Sequence, residues 1–164
     1  MSITLKQANT IIDAILKRAA ELNCRPISAV VVENGCIVKA FQKEDDASMS
    51  RFEMAYGKCY AALSLGRSSG LIKVRQQEKP EFVQFLIATS GERLFAEGGG
   101  RLIRDTAGNV IGAVGVTGDT EENDEELAAH GIHAAGLKID EDCEGFNDAP
   151  GRGVHERIRS RRPG

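Results

Sequence analysis

Arg51, Tyr56 and Lys58 lie within one short stretch, and Glu97 directly precedes Gly98-Gly99-Gly100-Arg101. The paired donors of an arginine fork match the two oxygens of a carboxylate. Arg51, with Lys58 two helical turns further on, is therefore read as an anchor for a carboxylate ligand. The plainer reading is a pair of solvated charges held by Glu53 or Glu44. Tyr56 or Tyr60 can donate a phenolic proton. A partly buried Glu97 would have a raised pKa and could act as general acid or base. Its plainer role is a rim carboxylate paired with Arg101.

Gly98, Gly99 and Gly100 are taken as substrate-binding positions, together with Arg101. Glycines recur in the following segment, Gly112-Ala113-Val114-Gly115-Val116-Thr117-Gly118-Asp119-Thr120. A strand interrupted by glycines suggests close approach by a backbone or a ligand. The expectation is a bare sheet face on which a planar guest rests. No Lys-Ser/Thr follows the glycine run, so a nucleotide loop is not indicated. His130 and His133 are three apart on one predicted helix face, but no third ligand is evident. No metal is expected, and Asp119 and Thr120 read as corner and cap residues.

The elements that position these residues are mostly readable. Apolar residues at helical spacing predict a first helix over 5–22, opened by a Thr4/Gln7 capping box. The run 27–33, Asn34-Gly35 and 36–41 predicts a hairpin with a two-residue turn. A second capping box, Ser50/Glu53, is expected to start a helix over 51–65, ended by the glycines at 66 and 70. The charged stretch 73–77 has no assigned element. Pro80 opens a short helix through Leu86, and Leu94-Phe95-Ala96-Glu97 is expected to be a strand entering the glycine run. Two further strands flank the turn 106–109. A last helix begins at Thr120, with Glu121, Glu122 and Asp124 at its positive end, and closes at Gly136. The order predicts an α+β fold: a five-stranded antiparallel sheet with helices on its faces. Residues 1–139 form the single domain. Residues 140–164 are a polar tail or oligomerisation arm, in which five acids precede five arginines.

With 21 basic and 24 acidic side chains the net charge is -3, which gives no electrostatic case for nucleic acid. No apolar run is long enough for a membrane span, and the expected location is cytoplasmic. The four cysteines are widely spaced, without C-x-x-C, and are expected to be reduced thiols.

Gly98-Gly99-Gly100, the segment Ile111-Gly112-Ala113-Val114-Gly115-Val116, and Gly118-Asp119-Thr120 followed by Asp124 resemble the haem-degrading and glycolate-operon accessory family. That family includes the C-terminal domain of some cobalamin adenosyltransferases. The opening helix, Ser28-Ala29-Val30-Val31-Val32 and Ala55-Tyr56-Gly57-Lys58 extend the resemblance over most of residues 3–137. It implies a profilin-like sheet flanked by helices, assembled into dimers or larger homo-oligomers with pockets near the subunit contacts.

One branch of the family comprises hydroxylaminobenzoate lyases, which release ammonia and form a catechol such as protocatechuate. On that reading the ligand is a small aromatic carboxylate and no cofactor is required. Arg51 and Lys58 anchor it, while Glu97 and Tyr56 carry protons. The alternatives are a haem-binding or haem-degrading protein and a non-catalytic small-ligand accessory protein. Haem-binding relatives can use an early histidine, but none precedes His130 here, leaving Tyr56, Tyr60 or a later histidine as iron ligands. The stretch 71–85, with Lys73, Arg75 and Lys79, also departs from the haem branch.

Overall fold

In the computed structural model of the chain, residues 1–143 and Phe146 are described. Among these residues, five α-helices and four strands follow the order α1 (Leu5–Glu21), β1 (Ser28–Glu33), β2 (Ile37–Lys43), α2 (Arg51–Leu65), α3 (Ser69–Glu78), α4 (Pro80–Thr89), β3 (Gly100–Arg104), β4 (Val110–Thr117) and α5 (Glu121–Ala134). The strands form one antiparallel sheet in the order β2-β1-β4-β3. α1 and α5 cover one face and α2 the other, so β1 is buried on both sides. Its alternation divides the two layers. Ala29 and Val31 pack with Ile11, Ile12, Ile15 and Leu127, whereas Val30 and Val32 pack with Ala55 and Cys59 of α2. α3 and α4 form a smaller third cluster beside α2, built on Ala61, Ile72, Val83, Leu94 and Ala96.

The sheet has four strands, not five. Residues 94–97 have no strand pairing because their backbone bonds elsewhere: the Phe95 N–H donates to the Gly57 carbonyl of α2, and Leu94 and Ala96 turn into the α3–α4 cluster. The charged stretch 73–77 lies within α3, a helix the sequence did not announce. The Thr4/Gln7 capping box is present, with both reciprocal bonds near 3 Å. The Ser50/Glu53 box is not, since Ser50 makes no side-chain cap bond. The first hairpin turns over three residues, with Gly35 and Cys36 both at positive φ, and β2 begins one residue later than expected.

Part of the predicted tail is fastened to the domain. Asp140–Asp142 form a 3-10 turn, where Arg104 pairs with buried Asp140 at 2.6 Å and Arg101 with Glu141 at 3.2 Å. The rest of the predicted tail, apart from Cys143 and Phe146, lies outside the described residues.

Gly100 and Gly115 lie under α2. A Cβ on Gly115 would overlap the Ala55 carbonyl, and one on Gly100 the Lys58 carbonyl. The glycines therefore admit a helix backbone, and the bare face expected for a planar guest is filled. Gly115→Ala is expected to cost about 3 kcal/mol through overpacking. Calorimetry should show this as a fall in the thermal midpoint of roughly 6–12 °C; an unchanged midpoint would refute the close packing.

Asp119 closes the corner between β4 and α5. It accepts bonds from the Asn123 side chain at 2.6 Å and the Arg25 N–H at 3.0 Å, which hold its carboxyl at about 2 against an ordinary 3.8. A depressed carboxyl stabilises the fold above its unfolded pKa, and that contribution fades as pH falls through the folded value. Asp119→Asn should therefore lower the melting temperature at pH 6, and the gap from the parent should close as the pH approaches 2.

Candidate functional site

α2 presents the sequence-predicted residues in different directions. With 100° between successive residues, Tyr56 lies roughly 140° around the helix from Arg51, whereas Lys58 is nearly in line with Arg51. Arg51 Nη1 donates to Thr117 Oγ1 at 3.0 Å, at the end of β4. Its Nε is buried without a hydrogen-bond partner, as is the hydroxyl of Ser28, the residue paired with Thr117 across the sheet. The Lys58 amine points under the end of the sheet. It is 2% exposed and donates to the Val116 carbonyl at 2.8 Å and to Asp124 Oδ2 at 3.3 Å. Burial lowers the Lys58 pKa and raises that of Asp124, with the mutual attraction opposing both shifts. Lys58 is thus the internal counter-ion of α5, not a cation facing a pocket.

Glu97 belongs to a second cluster. Lys73 of α3 reaches Glu97 at 3.1 Å and Glu121, the first residue of α5, at 2.5 Å. Burial and a hydrogen bond with Glu121 raise the Glu97 carboxyl, as expected for a proton carrier, but its cation is Lys73 and not Arg101. Glu121 loses stability as an anion through burial. Its bonds with Glu97, Lys73 and the Gly98 N–H nevertheless hold its pKa below the usual range.

The glycine run is internally bonded. Gly98 N–H donates to Glu121 at 2.7 Å, Gly100 N–H to Ser69 Oγ at 2.7 Å, and the Gly99 carbonyl accepts from Val116 N–H. Arg101 pairs with Glu125 and Glu141. His130 is exposed on α5, and His133 bonds Asp142 at 2.7 Å.

The other flank of α2 borders an open groove of about 490 Å³, within the range of small-molecule sites. Tyr60, Leu63 and Ser64 of α2 form one wall, and Asn34, Gly35 and Cys36 form the other. Leu102 and Val110 contribute from β3 and β4. Phe41, Phe52, Tyr56 and Tyr60 make a continuous aromatic row along this flank, with centroid separations of 5.0, 5.8 and 6.5 Å. Burial raises the Cys36 thiol, partly offset by its bond with Tyr56, and burial likewise raises the Tyr56 phenol. Arg93 lies over the Tyr60 ring, 4.8 Å from its centroid. Tyr60 was a sequence candidate; Cys36 was not, because a lone cysteine after Asn-Gly reads only as the start of a strand.

A four-stranded antiparallel sheet between an α1–α5 pair and α2, with this lateral groove, defines a small α+β fold class. The model of the family described as haem degrading protein HbpS-like matches residues 3–133, and the chain belongs to that family. It is 33% identical over 128 residues to an uncharacterized 15.0 kDa protein from the dhaT-dhaS intergenic region of Citrobacter freundii, covering 77% of this chain and 87% of that one. The crystal structure of Klebsiella pneumoniae protein ORFY (DUF336) superposes with a TM-score of 0.74 at 30% identity, over 82% of this chain and 90% of that one. The PduOC:heme complex gives a TM-score of 0.73 at 21% identity, over 84% and 98%.

Removing one member of a buried ion pair strands the other, at a cost of about 3–5 kcal/mol. Lys58→Met should show that loss in urea unfolding. Lys58→Met with Asp124→Asn should recover part of it, because the neutral amide still accepts the Asp119 N–H. A double variant no more stable than the single would remove the ion pair from its assigned role.

Proposed function

We propose that the protein binds haem in the groove between α2 and the β1–β2 turn. The observation that carries this reading is an apolar groove with oxygen and sulfur donors at its edge. Leu63, Leu102 and Val110 suit the faces of a tetrapyrrole, while Tyr60 and Cys36 are of the residue types that, on losing their protons, would hold haem iron as phenolate or thiolate. Bound there, haem would supply a redox-active iron. The chain's own contribution is to hold and orient it. Arg93 keeps the Tyr60 ring in place from its outer face, and the Tyr56 hydroxyl orients the Cys36 thiol. Membership of the HbpS-like family and the likeness to the PduOC:heme complex support the same assignment.

The lyase chemistry implied by the resemblance would need Arg51, Lys58, Tyr56 and Glu97 around one aromatic acid. Within one chain, Arg51 and Lys58 face the sheet, Tyr56 faces the hairpin, and Glu97 is held by Lys73 on α3. The groove is the better-supported site.

Haemin titration of the purified protein should give a saturable Soret change. Leu63→Glu, which places a charge on the apolar wall, should abolish it. Tyr60→Phe should shift the band or weaken binding at least tenfold, about 1.4 kcal/mol. Equal binding by the parent and Leu63→Glu would overturn the assignment.

A further inference from the structure

Two arginines line one small hollow at the far end of α2. It holds about 150 Å³, and its walls are Leu65, Arg67, Leu71, Ile72, Arg75 and Phe82. None of these residues also lines the haem groove. Four of the six fall in the stretch 71–85, whose basic residues the haem reading does not employ.

Local structure brings the walls together. α2 stops at Gly66, which is left-handed at φ 66°, and the chain passes through Arg67 into α3. Leu71 and Arg75 are one turn apart on α3 and share a face. Pro80 opens α4 and so returns Phe82 to α3, where the Arg75 guanidinium lies over its ring, 5.3 Å from the centroid.

Size and charge together define an occupant. Leu65, Leu71, Ile72 and Phe82 are apolar, and a cavity of about 150 Å³ holds a benzene-sized body, roughly six carbons. The two remaining lining residues are both cations, and none is acidic. Like charges beside one small hollow repel, and an anion between them offsets that repulsion. Among the described residues, Arg75 makes no ion pair and no side-chain hydrogen bond, so its ring contact leaves the N–H fork available. Such a fork matches the two oxygens of a carboxylate. A bare inorganic anion would leave the apolar walls unfilled, and an uncharged hydrocarbon would leave the cations unanswered.

We propose that this hollow binds a small monocarboxylate. Its apolar chain or ring, of about six carbons, lies against Leu71, Ile72 and Phe82, and its carboxylate meets Arg75 and Arg67. The site is independent of the haem groove.

Calorimetric titration of the full chain with hexanoate tests it, with circular dichroism showing that each variant is folded. The parent should bind saturably, with a dissociation constant of about 1 mM or tighter. Arg75→Gln should weaken binding about tenfold or more. Leu71→Glu, which puts a carboxylate into the hollow, should abolish it. Hexanol, which lacks the charge, and inorganic phosphate, which lacks the apolar body, should each bind about tenfold more weakly or worse. Saturation with haemin should leave the hexanoate affinity unchanged. A parent that shows no saturable binding overturns the assignment, as does undiminished affinity in Arg75→Gln or Leu71→Glu. Hexanol or phosphate binding as tightly as hexanoate overturns it too. Loss of hexanoate binding on adding haemin would move the acid to the groove and empty this site of its role.

Discussion

The Ala55 and Lys58 carbonyls rest on Gly115 and Gly100, and this backbone-to-backbone approach of α2 to the sheet determines much else in the structure. A side chain on either strand position would lift the helix. With the helix this low, its sheet-facing residues must be small or must escape sideways. Ala55, Cys59 and Ala62 meet the first condition. Lys58 meets the second by extending under the end of β4.

That extension puts a cation where water cannot reach it, so the chain must supply its counter-charge. Asp124 provides it from the first turn of α5, where the helix dipole also favours an anion. The Val116 carbonyl and the Asp119 N–H complete the bonding. The seam continues outward through Glu121, Lys73 and Glu97, which tie α3 and the glycine run to the same helix start. Burial of an ion pair is costly in free energy. The geometric result is a fixed spacing between α2 and α5, on opposite sides of the sheet, at the end where β4 leaves it.

What was legible in the sequence follows the range of the interactions involved. Thr4 and Gln7 satisfy each other's amides within one turn, and the apolar periodicity of α1 needs no distant partner to be recognised. α2, the β3–β4 hairpin and α5 are similarly local, and all are found near their expected bounds. Residues 94–97 look like a strand because Leu94 and Ala96 alternate with Phe95. Only the distant Gly57 carbonyl reveals that the backbone pairs with a helix. α3 was obscured because its buried contacts are few, Ser69 and Ile72, and its remaining residues carry no strong apolar stripe. The glycines signalled close approach correctly. Sequence could not show whether the approaching group was a ligand or α2.

The same helical phase separates the two functional readings of the chain. Arg51 and Lys58 share the side of α2 that the sheet consumes, and their donors are directed to Thr117, Val116 and Asp124. Tyr56 and Tyr60 lie on the flank the sheet does not reach, where the β1–β2 turn stands off and leaves room. A low helix thus closes the face above the glycines and opens a groove along its side. On the proposed haem reading, the space for a flat ligand lies not on the sheet but at the edge of α2, where a phenol and a thiol stand beside Leu63, Leu102 and Val110. On that reading the groove takes a large hydrophobic ligand held by one or two coordinating atoms. The charged residues most conspicuous in the sequence do not define it, because Arg51 is bonded to Thr117, Lys58 to Val116 and Asp124, and Glu97 to Lys73.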